Sequence, residues 1–217
     1  MIVVIGGIKG GSGKTTLATN LVAMRSSQRK KVLFVDADEQ KSATDWVEQR
    51  ERDGVQTNWT TVQLGGDTVH LQLRKMVKDY DDIIVDVGGR HTQSQISAIS
   101  VCDKFIVPFK PRSLDIWTLG KVKTLISQVK VVNPNLISIA LVNQADSRGS
   151  DNEDSIALLK DCPDLICCPH LLGHRKIFAN AASEGQGIIE NKHTDVKAAF
   201  EMISVYEYIF NTNFTRI

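Results

Sequence analysis

Residues 7–16 read Gly-Ile-Lys-Gly-Gly-Ser-Gly-Lys-Thr-Thr, and their setting restricts the fold more than any other part of the chain. The preceding run, Ile2-Val3-Val4-Ile5, consists of β-branched residues, as in a strand buried on both faces of a parallel sheet. After the loop, apolar residues fall at 17, 18, 21, 22 and 24, a spacing that suits a helix. Strand, glycine loop and helix together are the context that turns the pattern G-x-x-x-x-G-K-[ST] into a phosphate site. Gly7 is read as its opening glycine, Gly13-Lys14 as its closing pair and Thr15 as its hydroxyl position. The alternative is a glycine-rich strand-to-helix turn with an incidental Lys-Thr. On the phosphate reading, Gly10, Gly11, Ser12, Gly13, Lys14, Thr15 and Thr16 wrap a nucleotide's phosphates. Glycines let successive N–H groups converge on the oxygens, and the helix N-terminus adds favourable partial charge. Lys14 then bridges the β- and γ-phosphates, and the Thr15 hydroxyl ligates Mg²⁺.

Two carboxylate segments follow in an order that reinforces this reading. Residues 31–40, Lys-Val-Leu-Phe-Val-Asp-Ala-Asp-Glu-Gln, form an apolar strand running into Asp36 and Asp38. The C-terminal ends of strands are where open α/β sheets bind ligands, and hard oxygen ligands suit Mg²⁺. The competing account is that these acids merely cap a helix over residues 42–49. Residues 80–89, Tyr-Asp-Asp-Ile-Ile-Val-Asp-Val-Gly-Gly, form a second such strand ending at Asp86, suited to Mg²⁺ directly or through water. Alone this is a weak signal, since buried strands often end in Asp; its position after the glycine loop strengthens it. Arg90 and His91 come next, as nucleotide or partner sensors or as solvated loop residues.

The rest of the chain alternates strand and helix. Residues 104–109 are an apolar strand ending in Lys-Pro-Arg-Ser-Leu-Asp, after which a helix starts near Leu114; residues 119–131 have helical spacing. Residues 136–143 form another strand, 146–154 a polar loop, 155–160 a helix and 195–210 a closing helix. This rhythm predicts an α/β fold, a doubly wound, mostly parallel sheet flanked by helices. The length, 217 residues, fits a single domain over 1–217. No stretch approaches the ~20 apolar residues of a membrane span, and the start lacks a signal peptide's basic segment, so a cytoplasmic protein is expected. Cys102, Cys162, Cys167 and Cys168 lack metal-ligand spacing and are read as reduced structural thiols, which disfavours iron–sulfur chemistry.

Lys9 supplies the family resemblance. A lysine just before Gly10-Gly11 sits too early to cradle its own γ-phosphate easily, and Lys-Gly-Gly-Ser-Gly-Lys-Thr-Thr resembles the deviant Walker A box of the ParA/MinD ATPases. The other account is a solvated loop lysine. The resemblance implies a P-loop NTPase that binds ATP and Mg²⁺ and forms an ATP-sandwich homodimer, with Lys9 reaching the partner's nucleotide. It implies catalytic roles for Lys9, Lys14 and Asp38, and a metal shell from Thr15, Asp36, Asp38 and Asp86. It also implies an adenine contact at Asn143, which equally well terminates a strand. Glu39 replaces the family's usual proline, and Val87-Gly88-Gly89 matches its small-residue version of the second carboxylate loop.

Residues 170–190 resemble the partition ATPases, with Arg175, an aromatic at 178 and Gly185-x-x-Ile188-x-Glu190. The tail at 207–217 holds one arginine and no lysine, unlike the basic membrane helix of MinD-type proteins, so no membrane partner is expected. The resemblance therefore implies partition of plasmid or chromosomal DNA by a nucleoid-associated ATPase. It would bind DNA non-specifically and be stimulated by a small centromere-binding adaptor. No helix-turn-helix segment is expected before the loop, which would leave site-specific recognition to the adaptor. Net charge is only +1, so DNA binding needs a local patch. Candidates are Arg25, Arg29, Lys30, Lys31, Lys110, Arg112, His174, Arg175 and Lys176, with Arg175-Lys176 favoured. Two other classes stay open: a positioner of non-DNA cargo with the same cycle, and a metabolic P-loop enzyme.

Overall fold

The structure is a computed structural model that describes residues 1–89, 92–111, 118–193 and 195–215. Seven strands form one sheet: β1 (Ile2–Ile5), β2 (Val32–Ala37), β3 (Thr60–Gln63), β4 (Asp82–Val87), β5 (Lys104–Phe109), β6 (Ile137–Ala145) and β7 (Ile166–Gly173). Among the described residues eight helices flank it: α1 (Lys14–Ser27), α2 (Ser42–Arg52), α3 (Val69–Met76), α4 (Gln93–Ile99), α5 (Leu119–Lys130), α6 (Asp151–Lys160), α7 (Lys176–Ser183) and α8 (Val196–Phe210). Strand order is β3-β2-β4-β1-β5-β6-β7. Every neighbouring pair is parallel, so the sheet expected to be mostly parallel is parallel throughout.

The near-continuous apolar strands explain that arrangement. β1, β2, β4 and β5 are buried at every position, which requires helices on both faces. Successive side chains point to opposite faces and split the core in two. Val4, Leu33, Val35, Ile83 and Val85 join Leu73, Ile99 and Ile126 on one face. Val3, Ile5, Phe34 and Ile84 join Leu17, Leu21, Trp46 and Met202 on the other. The same alternation separates the adjacent cysteines: Cys167 packs against the first core and Cys168 lies within the second.

The chain winds from β1 towards β3, returns through β4, and continues on the other side of β1 through β5 to β7. β1 is thus the point where winding reverses, and the crevice beyond its C-terminal end is where such sheets bind ligands. Register adds detail, since Asp36 and Asp86 are lateral partners across β2 and β4. Ile5, two residues before Gly7, pairs with Asp86 on the other side.

Some boundaries differ from the sequence reading. The polar stretch before residue 155 is partly helix: α6 begins at Asp151, with Asp151, Glu153 and Asp154 in its first turn, where acids suit the helix dipole. β3 is half-exposed and reads Thr-Thr-Val-Gln, without a strong apolar signal. β7 contains Pro169, which an edge strand tolerates. Arg90, His91 and residues 112–115 with the helix start near Leu114 lie outside the described residues. Among the described residues, no helix is long and apolar enough to cross a membrane.

Candidate functional site

The loop between β1 and α1 holds left-handed backbone at Gly11 (φ +74°) and Gly13 (φ +87°), a conformation glycine adopts at little cost. Counting back from Gly13, the opening position of the phosphate pattern falls on Ile8, so Gly7 stands one residue outside it. Gly7 serves instead as an anchor, its N–H donating to Gln95 Oε1 at 3.0 Å. Two further amides hold the loop from β6. Asn143 Nδ2 donates to Ser12 O at 2.7 Å, and Gln144 Nε2 to Gly11 O at 3.1 Å. Gln144 has φ +56° at an irregularity in the β6–β7 pairing. Asn143, expected beside adenine, donates one of its two amide hydrogens to the loop, and a side chain at Gly13 would strike that amide.

Lys14 is buried at the start of α1, and its Nζ donates to Lys9 O at 3.0 Å. Burial lowers its pKa, and the charges of Asp86 and Asp38 partly offset this. The next residue, Thr15, donates its hydroxyl to Asp86 Oδ2 at 2.7 Å. Asp86 is fully buried, and burial above all pushes its pKa up to about 7; neighbouring Asp36 adds to the rise while the Thr15 hydrogen bond opposes it. Its second oxygen, Oδ1, is buried without a hydrogen-bond partner. An unsatisfied buried carboxylate oxygen beside a threonine hydroxyl fits a hard cation such as Mg²⁺. Among the described residues no group of three or more His, Cys, Asp or Glu could hold a metal by itself. That suits Mg²⁺, which is usually bound through one or two carboxylates plus substrate phosphates.

Asp36 and Asp38 do different things. Asp36 Oδ2 accepts from the Thr44 N–H at 2.8 Å and the Thr44 hydroxyl at 2.7 Å. Its Oδ1 accepts from the Asp38 N–H at 3.1 Å. Asp36 thus ties the first turn of α2 to the end of β2, as the capping account expected for it. Asp38 is half-exposed, and its Oδ1 accepts from the Gln40 N–H at 3.0 Å. A Cβ on Gly88 would lie 3.0 Å from Asp38 Oδ1, and one on Gly89 would lie 2.8 Å from Gly10 N and 2.9 Å from Lys14 Nζ. The glycine pair after Asp86 therefore lets the third motif lie directly against the other two.

These elements enclose a cleft of about 710 Å³ lined by Gly10, Gly13, Lys14, Thr15, Asp38 and Gly89, among others. Beside it a cavity of about 550 Å³ is lined by Gly13, Leu17, Asn143, Leu172, Phe178 and Met202, among others. Lys9 is exposed in the same loop. Thr16 lines both spaces, as one continuous nucleotide site requires. The loop glycines and acids were legible in the sequence. Gln95 and Gln144 were not, because a glutamine one element away carries no local signal of a partner loop.

The candidate DNA patch is divided. Arg29, Lys30 and Lys31 precede β2, whereas His174, Arg175 and Lys176 follow β7, at the opposite end of a parallel sheet. Arg175 pairs with Glu201 at 2.7 Å and with Asp195 at 3.5 Å. Glu201 also accepts from the Gly173 N–H at 3.0 Å, so this arginine straps α8 to β7. Arg25 is likewise engaged, 2.6 Å from Asp82. Lys176 and His174 are exposed, and Arg112 lies outside the described residues.

A parallel sheet with a glycine loop at its reversal point, a buried lysine and a Thr–Asp pair beneath it define a P-loop nucleotide-binding protein. Residues 3–188 match the model of the CobQ/CobB/MinD/ParA nucleotide-binding domain, and the chain belongs to that family. It is accordingly an ATPase of the ParA/MinD kind. It is 26% identical over 193 residues to maintenance of carboxysome distribution protein A from Halothiobacillus neapolitanus, covering 86% of this chain and 85% of that one. Its fold is similar to that of a McdA variant–ATP complex from Cyanothece, with TM-score 0.80, 19% identity and coverage of 98% and 96%. It is also similar to a Borrelia burgdorferi B31 plasmid partition protein bound to AMPPNP, with TM-score 0.72, 18% identity and coverage of 97% and 98%.

Proposed function

We propose that this chain is an ATP-switched positioning ATPase that cycles between monomer and ATP-bound dimer to distribute a large cargo. The observation that carries the reading is the placement of Lys14, Thr15 and Asp86 beneath the glycine loop, with Asp38 facing the same cleft. ATP seats its phosphates on the backbone N–H groups at 10–16, with Lys14 turning from Lys9 O towards them. The base occupies the mostly apolar cavity walled by Leu17, Leu172 and Phe178, beside Asn143. Thr15 and Asp86 would hold Mg²⁺, which would supply charge neutralisation at the phosphates. Asp38, on a loop bounded by the rigid end of β2 and by α2, orients the attacking water. Lys9, exposed in the glycine loop, reaches the nucleotide of a second copy, so the site is complete only in the dimer.

The cargo reading follows the relatives. The carboxysome-distribution protein matched along most of both chains favours a protein assembly as cargo, recruited through an adaptor. Likeness to a plasmid partition protein supports a second reading, in which the cargo is plasmid or chromosomal DNA bound to a centromere-binding adaptor. On either reading the dimer travels on non-specific DNA and the protein works in the cytoplasm at the nucleoid. Arg175 is paired, whereas Lys176 and His174 are exposed near that end.

The test is a DNA mobility shift with ATP, ADP or no nucleotide, at low and physiological salt, alongside light scattering. An ATP-dependent dimer whose DNA shift fades with salt supports the cycle. An ATP-driven dimer with no shift removes the DNA track, and turnover that depends on an added small molecule points to a metabolic enzyme. Lys14→Ala is expected to abolish ATP binding; retention of binding would overturn the phosphate-site assignment.

A further inference from the structure

Behind the cleft, Arg50 near the end of α2 is only 2% exposed and is held from several directions. Its guanidinium grips Glu190 in a fork, Nη1 to Oε2 at 2.8 Å and Nη2 to Oε1 at 2.7 Å. Nη1 also donates to Gly185 O at 2.9 Å, and Nε to Gln56 O at 3.1 Å. The cation lies 4.8 Å from the ring centre of Trp59 and 5.6 Å from that of Trp46. Those indoles stack on each other at 5.9 Å. Gly185 has φ +60°, and a Cβ there would run into the Arg50 backbone. The segment that grips Arg50 also grips the P-loop helix: Ile188 N donates to Asn20 Oδ1 at 2.7 Å, and Asn20 Nδ2 donates to Thr16 O at 2.7 Å. Residues 185–190 therefore bridge α1, which carries Lys14 and Thr15, to α2, whose first turn is tied by Asp36 to the Asp38 loop.

Resting on the nucleotide reading above, we propose that Arg50 is a positioning residue, joined to Glu190 so that α2 holds the Asp38 loop in register with the P-loop helix. Neither Arg50 nor Glu190 lines the cleft, so the pair acts on hydrolysis through Asp38 rather than on phosphate binding. A planar, forked cation is what the site uses: it bridges both carboxylate oxygens while lying against aromatic faces, which lysine cannot reproduce. The strap also gives residues Gly185, Ile188 and Glu190 distinct tasks: the first makes room for Arg50, the second fills the core, and the third pairs with the guanidinium.

The test uses the full chain with Glu190→Gln and, separately, Arg50→Lys, each measured for ATP turnover and nucleotide affinity. The expected result is a fall in kcat of about 10-fold, with KM and ADP affinity within about two-fold, as for a misplaced catalytic group. Trp46 and Trp59 supply a second readout, taken first in a chain whose Arg50–Glu190 pair is intact. In an otherwise unaltered chain carrying Trp117→Phe, ATP with Mg²⁺ is expected to shift tryptophan emission, ADP much less, and Glu190→Gln to suppress the difference. Unchanged kcat in folded variants, or emission indifferent to ATP in the Trp117→Phe chain, overturns the joint. Failure of the parent chain to bind ATP sinks the nucleotide reading itself and is a separate result.

Discussion

Replacing Gly89 by alanine tests whether the third motif must lie against the first. The added Cβ would sit 2.8 Å from Gly10 N, 2.9 Å from Lys9 C and 2.9 Å from Lys14 Nζ. The first two are backbone atoms and cannot swing aside. Restoring ordinary contact at about 3.5 Å requires the loops to part by roughly 0.6–0.7 Å. Overpacking of this kind costs about 1–3 kcal/mol, and for a chain of this size each kcal/mol lowers Tm by about 2–4 °C. Tm should therefore fall by about 2–12 °C. The larger effect is on chemistry, because Lys14 and Asp86 no longer share one geometry; a misplacement near 1 Å can cost about 100-fold. The expected outcome is a 10- to 100-fold loss in phosphate release. Gly65→Ala is the control: nothing lies within 4 Å of its added Cβ, and its φ is not positive. If Gly89→Ala keeps the parent rate and Tm while remaining folded, the account of the glycine pair is refuted.

Further outcomes are expected. Lys9→Ala should bind ATP normally yet stay monomeric by light scattering, since the side chain is exposed in its own protomer; a normal ATP dimer would remove the crossing lysine. Gly185→Ala should destabilise the chain by more than about 2 kcal/mol, combining left-handed backbone strain with collision against Arg50, read by thermal unfolding. Asp86, raised from 3.8 to about 7, has a defined sign. Its folded form holds a proton that the unfolded chain has already released between those values, so its contribution is full below about pH 4 and lost as pH rises through about 7. Nucleotide-free protein should therefore lose stability over that window more steeply than Asp86→Asn, by thermal unfolding in matched buffers; equal slopes would count against a buried, proton-holding Asp86.

Legibility followed the range of the interaction. Residues 2–24 announce themselves because strand, loop and helix are contiguous, and a glycine loop followed by Lys-Thr has few other uses. Asp36, Asp38 and Asp86 were legible as strand ends, yet their division of labour was not. Which carboxylate is consumed by Thr44 and which keeps a buried oxygen unpartnered depends on register across β2 and β4. β3 and β7 were hard to read because one is half-exposed and the other carries a proline, both permissible at sheet edges.

The amino-acid sequence alone determined the sheet class, the glycine loop, the order of the three nucleotide motifs and the family resemblance. Each rests on contacts between residues close in the chain or on periodicities that burial imposes locally. Tertiary structure alone decided that Asn143 and Gln144 brace the loop, that Arg175 is neutralised by Glu201 and Asp195, and that Arg50 meets Glu190. A charged or amide side chain reads the same in sequence whether it faces water or a partner 140 residues away. Only the winding of the sheet brings those partners within hydrogen-bonding distance, and that distance separates a solvated cation from a structural joint.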